Sequence, residues 1–391
     1  QPVRAGDAIV YVHRNQRQVE MFTQNPQAIS ATNWISVDLT ELAPRLLDEK
    51  ILKIAVQQEP NRRIFVVLKS GKCLELLFRP EIQIRAWSEI ETDGRIEDVQ
   101  VISQDDEDKV YFVVRRKVNG TWKRFIEKLN REEVDNDEDF YHLDSALRLD
   151  LTRPDTPLIV SAKTGTVTVT SDDSAFSAGD VGKIFWVRGG KGTIATYVSA
   201  TVITVTLTTD VDGVEDDDDA FVAAPGWWGF GANVTGLTGL DHLEGDTVTV
   251  HGDMQNLGSY TVASGAITLT QSCSIAFAGK PMRSRYKSLK LSYGGQKGTA
   301  LAQPKAIKAL AIILYRTGAA LKFGPRFNKL RPLPTRTATT PWNEPVKLFT
   351  GEKEKAFDAD WNTDSRLCFE CDDPSPATIS GIVPQIETRD R

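Results

Sequence analysis

The tripeptide Phe65-Val66-Val67 recurs as Phe112-Val113-Val114, an offset of 47 residues, and each copy lies in the middle of the same local plan. Apolar runs at 51–57, 63–68 and 72–78 are separated by Pro60-Asn61 and Ser70-Gly71. Runs at 96–102, 109–116 and 121–129 are separated by the acidic Asp105-Asp106-Glu107-Asp108 and by Asn119-Gly120. Asn-Gly tolerates the positive φ angles of a two-residue turn, so the last pair reads as a β-hairpin. A further pair at 8–13 and 17–22 flanks Asn15-Gln16. Antiparallel strands repeating at this length are the size of a propeller blade, which buries one face against each neighbouring blade. Two or three blades cannot close a ring, so the partners that would close it are expected in a region preceding Gln1.

The remainder of the chain keeps a β bias. Residues 155–225 form a compositional island in which Thr164–Thr170 and Thr201–Thr208 alternate apolar and polar positions, as half-buried strands do. Gly189-Gly190-Lys191-Gly192-Thr193 lacks the spacing of a phosphate-binding loop and is flanked by strands, so a hairpin turn is expected there. Asp210-Val211-Asp212-Gly213 and the acids 215–219 lack the ligand order of a calcium loop and read as a mobile acidic tip. The stretch 131–139 carries six acids in nine residues and reads as a solvated loop. Only 38–47, with Leu39, Leu42 and Leu46 on one face and Pro44 shortening it, predicts a helix. Ile307–Tyr315 fits a buried helix or a buried strand on periodicity alone, with its paired isoleucines and the following Arg316-Thr317-Gly318-Ala319 turn favouring a strand, and Pro332, Pro334, Pro341 and Pro345 mark an extended segment.

Composition excludes some classes. With 391 residues the chain has room for two or three domains, and 40% apolar with 26% charged residues is ordinary for a globular protein. No apolar run reaches the roughly 18 residues of a membrane-spanning helix. Four cysteines do not build a disulfide framework, and Cys368-Phe369-Glu370-Cys371 has no second pair with which to hold zinc. His13, His142, His242 and His251 stand apart from any nucleophile motif or second ligand, so no catalytic, metal or cofactor residue is assigned and none is expected. Trp87, Trp186, Trp227 and Trp228 are the side chains that would stack on sugars in a carbohydrate-binding or carbohydrate-degrading protein.

Charge is unevenly written along the chain. Residues 280–336 carry fourteen Lys and Arg and no acid; with a net charge of −6 overall, the remainder sums to −6 − 14 = −20. Such segregation predicts that basic and acidic surfaces meet across an interface with another copy or another protein. Lys305, Lys308, Lys322, Arg326, Lys329 and Arg331 are the candidate interface residues. The rival is a nucleic-acid module, with Tyr286, Tyr293 and Phe327 interleaved among the cations.

Two blocks carry a resemblance. Ile84-Arg85-Ala86-Trp87-Ser88-Glu89-Ile90-Glu91-Thr92-Asp93-Gly94-Arg95-Ile96-Glu97 is followed by Val113-Val114-Arg115-Arg116 and by Arg124-Phe125-Ile126-Glu127-Lys128-Leu129. Gly239-Leu240-Asp241-His242-Leu243-Glu244-Gly245-Asp246-Thr247-Val248-Thr249-Val250 follows later. Together, over most of 1–154 and 226–391, they resemble the nozzle (tail tubular protein B) family of short-tailed phages, and 176–184 resembles a small β module inserted in phage tail proteins. Members of that family carry a long region before the part matching Gln1. The resemblance implies a non-enzymatic virion protein of the tail: a ring, six-fold in the family, that docks to an adaptor protein and tail fibres and lets double-stranded DNA pass during ejection. The expected fold is mainly β and multidomain. Propeller-like blades fill 1–154, an inserted β module 155–225, and a C-terminal β domain that packs back on the first part 226–391.

Overall fold

A computed structural model describes residues 2–24, 33–41, 43, 45–104, 107–131, 134, 136–212, 220–292, 294–295, 298–299, 301, 303–318, 321–335, 347–357 and 359–388. It is a mainly β, multidomain protein, and its contacts divide it into two compact units, Gln1–Glu132 and Glu133–Arg391.

The first unit is a stack of three antiparallel meanders. Val3–Ala5, Ala8–Val12, Val19–Gln24 and Trp34–Asp38 pair in chain order, as do Ile51–Gln57, Arg63–Leu68, Cys73–Arg79 and Ile84–Ile90. Arg95–Gln104, Glu107–Val118 and Thr121–Lys128 form the third. The middle sheet is buried on both faces, which explains the unbroken apolar run of Ile64–Leu68. Ile64, Val66 and Leu68 pack toward Val10, Val19 and Met21 of the first sheet, while Phe65 and Val67 pack toward Val99, Val110 and Phe112 of the third. The repeated phenylalanines Phe65 and Phe112 therefore meet, edge to face at 5.9 Å. Asn119 and Gly120 both take positive φ in the tight turn between Glu107–Val118 and Thr121–Lys128.

No helix forms among the described residues of 38–47; Leu42 and Pro44 lie outside them. The Asp38 carboxylate accepts the Thr40 amide at 2.7 Å, and the turns closed by Ala43 N to Thr40 O and Leu46 N to Ala43 O do not propagate. The apolar spacing there serves burial of Leu39 and Leu47 in the core beneath the first two sheets. Asp105 and Asp106 also lie outside the described residues, but Glu107 and Asp108 begin a strand, with Asp108 accepting the amides of Gln58 and Glu59.

In the second unit Leu143–Leu149 pairs with Ala276–Pro281, which pairs in turn with Thr247–Gly252 and Gln255–Thr261. Asp253 and Met254, both at positive φ, make the hairpin turn. A seven-stranded sheet follows, in the order 221–223, 158–160, 166–171, 202–207, 190–199, 184–187 and 228–231. Lys305–Thr317, a strand as expected, is central between Phe349–Ala356 and Thr378–Thr388. Its Ile307, Leu310 and Ile312 share a core with Leu321, Phe323 and Phe369 of a neighbouring four-stranded sheet. Pro341 and Pro345 lie outside the described residues.

The boundaries expected at 154 and 225 fall elsewhere in the folded chain. The first unit closes at Glu132 because 143–149 belong to a sheet completed by 247–281. The strands Leu158–Val160 and Phe221–Ala223 at the two ends of the island pair with each other, as the ends of an insertion must. Its sheet, however, is closed at the far edge by Trp228–Gly231, and Trp228 sits fully buried in its core with Nε1 donating to the Thr156 carbonyl at 2.9 Å.

Candidate functional site

The quoted blocks fold into corners. Arg116, 1% exposed, donates from Nε and Nη2 to the two carboxylate oxygens of Glu127, each at 2.7 Å. Its remaining donors hold the Asp93 carbonyl at 2.8 Å and the Thr92 hydroxyl at 2.7 Å, so one guanidinium ties together three of the quoted segments. Gly94 lies against it, where a Cβ would meet Arg115 O, Arg116 Cγ and Val114 Cγ1 at 3.0 Å. Trp87 donates to the Leu39 carbonyl at 3.0 Å.

The later block behaves alike. Leu240 and Leu243 are fully buried, and the Glu244 carboxylate accepts the Ser264 and Gly265 amides at 3.0 and 2.7 Å. His242 Nε2 lies 3.0 Å from the Ser145 carbonyl, so this histidine satisfies a local backbone group. A Cβ at Gly265 would approach Asp241 Oδ1 at 2.6 Å, in a backbone already at φ +66°. Both blocks are occupied in holding turns.

Six of the fourteen cations of 280–336 pair with acids of their own unit, and Lys297 and Arg336 lie outside the described residues. Lys280 pairs with Asp246, Arg285 with Glu370, Lys290 with Asp364, Lys308 with Glu387, Arg316 with Asp137 and Lys322 with Asp372. Part of the segment's positive charge is therefore answered inside the fold. Of the candidate interface residues, Lys305 is fully buried, its Nζ donating to the Leu301 carbonyl, and burial lowers its pKa. It is withdrawn from any surface. Lys308 also lies over the Trp361 ring, with Nζ 5.4 Å from the centroid. Arg326, Lys329 and Arg331 are exposed, at the hairpin of Leu321–Arg326 and Lys329–Pro332 on the edge of a sheet. The structure thus groups Lys322, Arg326, Lys329 and Arg331 in one sheet and places Lys305 and Lys308 in another. Tyr286 is exposed on Ser284–Lys287, Arg285 lies over the Phe327 ring, and Tyr293 is outside the described residues.

Residues 132, 133 and 135 of the acidic stretch lie outside the described residues, and the described acids, Asp137, Glu138 and Asp139, are not in a solvated loop. Asn136 and Glu138 are buried; Asp137 pairs with Arg316, and Asp139 with Arg148 and Arg153, both at 2.9 Å. The basic partners lie in sequence up to 179 residues away, which no local pattern discloses. Neither oxygen of Glu138 has a hydrogen bond, and Arg153 Nη2 stands 3.8 Å away. Burial, then repulsion by Asp139, pushes its pKa up to about 7. The folded state consequently holds a proton between about pH 4.5 and 7 that the unfolded chain releases, so this group's contribution falls as pH rises through that window. Glu138→Gln should lie close to the natural protein in urea midpoint at pH 5 and be the more stable of the two at pH 8. Parallel midpoint curves for the two proteins would show that Glu138 does not titrate in this range.

Cys368 and Cys371 are both buried in one strand; their Sγ atoms contact the carbonyls of Pro325 and Asp373, and burial raises both thiols. Among the described residues no group of three or more His, Cys, Asp or Glu is arranged to hold a metal ion. Gly189 lies in a two-residue turn with Arg188, both at positive φ, and Lys191 pairs with Asp253 at 2.6 Å. Asp212 pairs with Lys347, and 213–219 lie outside the described residues. Of the four candidate sugar-stacking tryptophans, Trp186 and Trp228 are core and Trp87 is half-buried against the 1–132 core. Trp227 is partly exposed beneath Arg188. Among the described residues no helix is long and apolar enough to cross a membrane.

No protein-family model matches the chain, and no curated protein matches it.

Proposed function

We propose that this chain is a structural protein of a phage tail that assembles as a ring around the path by which double-stranded DNA leaves the virion. The observation that carries this reading is the open-ended stack of meanders in 1–132. Its middle sheet is buried on both faces, whereas the first sheet presents Ile9 and the stacked Phe22 and Trp34 on its outer face, and the third presents Trp122 and Ile126. Sheets that already bury one face in this way are suited to continued face-to-face packing. The use of both resemblance blocks as structural corners supports a non-enzymatic role. Six-fold symmetry, an adaptor protein above and tail fibres around the ring follow from the same resemblance.

The exposed cations at the hairpin are assigned to contact with an acidic surface of a neighbouring subunit or the adaptor. Lys322 is excluded from the test, since Lys322→Glu would face Asp372 inside the fold. Arg326→Glu with Lys329→Glu should shift assembly toward smaller species, because like charges at the contact oppose association. Electron microscopy and light scattering of the purified chain test both claims. Rings that dissociate in the double variant are the expected result; a chain that stays monomeric at all concentrations, alone and with the adaptor, rejects the proposal. Tight duplex DNA binding with a steep salt slope, lost in the double variant while rings persist, would transfer these residues to nucleic-acid contact.

A further inference from the structure

The two open ends of the stack in 1–132 carry charged rows of opposite sign. On the third sheet Arg95, Arg115 and Arg124 stand directly opposite one another on three neighbouring strands. Directly opposed side chains share a face, and the alternation with buried Ile96 and Val114 puts this row on the outer one. Glu97 answers Arg124, Nε to Oε2 at 2.6 Å, whereas Arg95 and Arg115 pair with no carboxylate among the described residues. Arg115 lies over the half-exposed Trp122 ring, 4.9 Å from its centroid. Like charges placed directly across a sheet destabilise it, so the row is a standing cost that a carboxylate surface laid on it would turn into attraction. The next row along is apolar, Val113 opposite Ile126, and Ile126 is 78% exposed.

The first sheet supplies the counterpart. On its outer face Tyr11, Glu20 and Asp38 form one cross-strand row, in which two carboxylates stand directly opposite. The Tyr11 and Ser36 hydroxyls both donate to Glu20 Oε2, and Gln18 Nε2 donates to Asp38 Oδ2 at 2.9 Å. These donors are neutral, so they fix the carboxylates in place without cancelling their charge. The Ser36 and Tyr11 bonds also hold the Glu20 carboxyl below its usual range, so it is ionised at pH 7. Arg4 is the one cation on the strands of this face, at its edge, with Nε donating to the Gly6 carbonyl at 2.9 Å. The next row is again apolar: Ile9 opposite Phe22, with Trp34 stacked on Phe22 at 5.3 Å and 50% exposed.

On each end the charged row and the apolar row are two residues apart along the strand, about 7 Å. The acidic row can therefore meet the arginine row while Ile9 and Phe22 meet Val113 and Ile126. Inside the unit the middle sheet is already covered on both faces by packing of this kind. Nucleic-acid phosphates would answer the arginines but leave Ile126 and Val113 without a partner, whereas arginine and tryptophan beside exposed aliphatic groups is the composition of a protein contact. We propose that copies of this chain join head to tail, the outer face of the first sheet of one copy on the outer face of the third sheet of the next. The inference rests on the ring reading and names the contact between its subunits. Because the two surfaces differ, each copy keeps a free end, and successive copies run on into a closed ring or an open filament.

Sedimentation velocity of the full chain over a range of concentrations, with electron microscopy of the products, provides the test. Arg115→Glu sets a carboxylate between two arginines, so it relieves repulsion inside the subunit while opposing Glu20 and Asp38 across the contact. Its urea midpoint should be no lower than that of the natural chain, which separates loss of contact from loss of fold. Trp34→Lys spoils the other end. Each variant alone should associate at least about tenfold more weakly, about 1.4 kcal/mol. Mixed in equal amounts they should form one-to-one pairs, since the intact first sheet of one variant meets the intact third sheet of the other. If the natural chain forms rings and both variants form them equally well, or if the mixture forms no pairs, this contact fails and the ring reading stands. Open filaments that Arg115→Glu dissolves uphold the contact and sink the ring; a natural chain monomeric at every concentration rejects both. DNA binding at physiological salt that is lost in Arg115→Glu, with assembly intact, gives the arginine row to nucleic acid instead.

Discussion

Replacing Arg116 with Met should destabilise the fold of residues 1–132 by about 3–5 kcal/mol, the usual cost of removing one partner of a buried ion pair. Met preserves most of the volume, so the loss reports charge and hydrogen bonding and not a cavity. What is left behind is a Glu127 carboxylate with only 21% of its side chain exposed, together with the Asp93 carbonyl and Thr92 hydroxyl that had been held. Native-state hydrogen exchange reads the effect locally: amides of Glu107–Val118 should exchange at least about a hundredfold faster, as 3 kcal/mol requires. Adding Glu127→Leu should recover part of the loss, because the orphaned carboxylate is then gone. An Arg116→Met protein within 1 kcal/mol of the natural one would mean that the guanidinium positions nothing the sheets do not position themselves.

Trp186→Ala should cost the 133–391 unit about 3–5 kcal/mol. The indole is fully buried among Leu143, Leu151, Met254, Ile275 and Phe277, although its strand belongs to the seven-stranded sheet. Its Nε1 donates to Ser274 Oγ at 2.9 Å; that hydroxyl donates to Asp253 Oδ1 at 3.0 Å, and Asp253 Oδ2 receives Lys191 at 2.6 Å. Lys191 lies in turn over the indole, Nζ 5.4 Å from its centroid. Trp186→Phe keeps most of the apolar contact and loses the hydrogen bond, so it should cost less than Ala, and calorimetry of the pair separates packing from bonding. Equal losses for Phe and Ala would assign the whole effect to the Ser274 bond. This linkage also bears on the expectation that 155–225 stands alone. Joining Arg153 to Gly226 would uncover Trp228 and Phe230 and empty the space of Trp186, so such a deletion exposes apolar surface at both junctions.

What the sequence discloses follows the range of the interactions. Arg63–Leu68 and Ile51–Gln57 are legible to the residue because their apolar runs are bounded by turn formers, and the 47-residue echo becomes a contact between Phe65 and Phe112. Asn119-Gly120 is legible because its dihedral preference is intrinsic. The helix at 38–47 misleads, since leucines spaced for a helical face serve equally well a loop whose ends are buried. Asp137 and Asp139 mislead more deeply: their partners Arg148, Arg153 and Arg316 are placed by tertiary pairing, and composition carries no signal of it. Lys305 reads as a surface cation from its neighbours and is core because it lies in the central strand of its sheet.

The internal answering of the basic segment has a consequence in time. Arg285, Lys308 and Lys322 find their carboxylates at Glu370, Glu387 and Asp372, all later in the chain. At about 5–20 residues per second, a ribosome delivers those acids several seconds after it has made the cations. For that interval the growing polypeptide carries an uncompensated positive stretch beside a polyanionic RNA machine, and its affinity for that surroundings is highest just before its own carboxylates arrive. Completion of Cys368–Cys371 and Thr378–Thr388 therefore closes two sheets and, in the same step, brings Glu370 and Glu387 to Arg285 and Lys308.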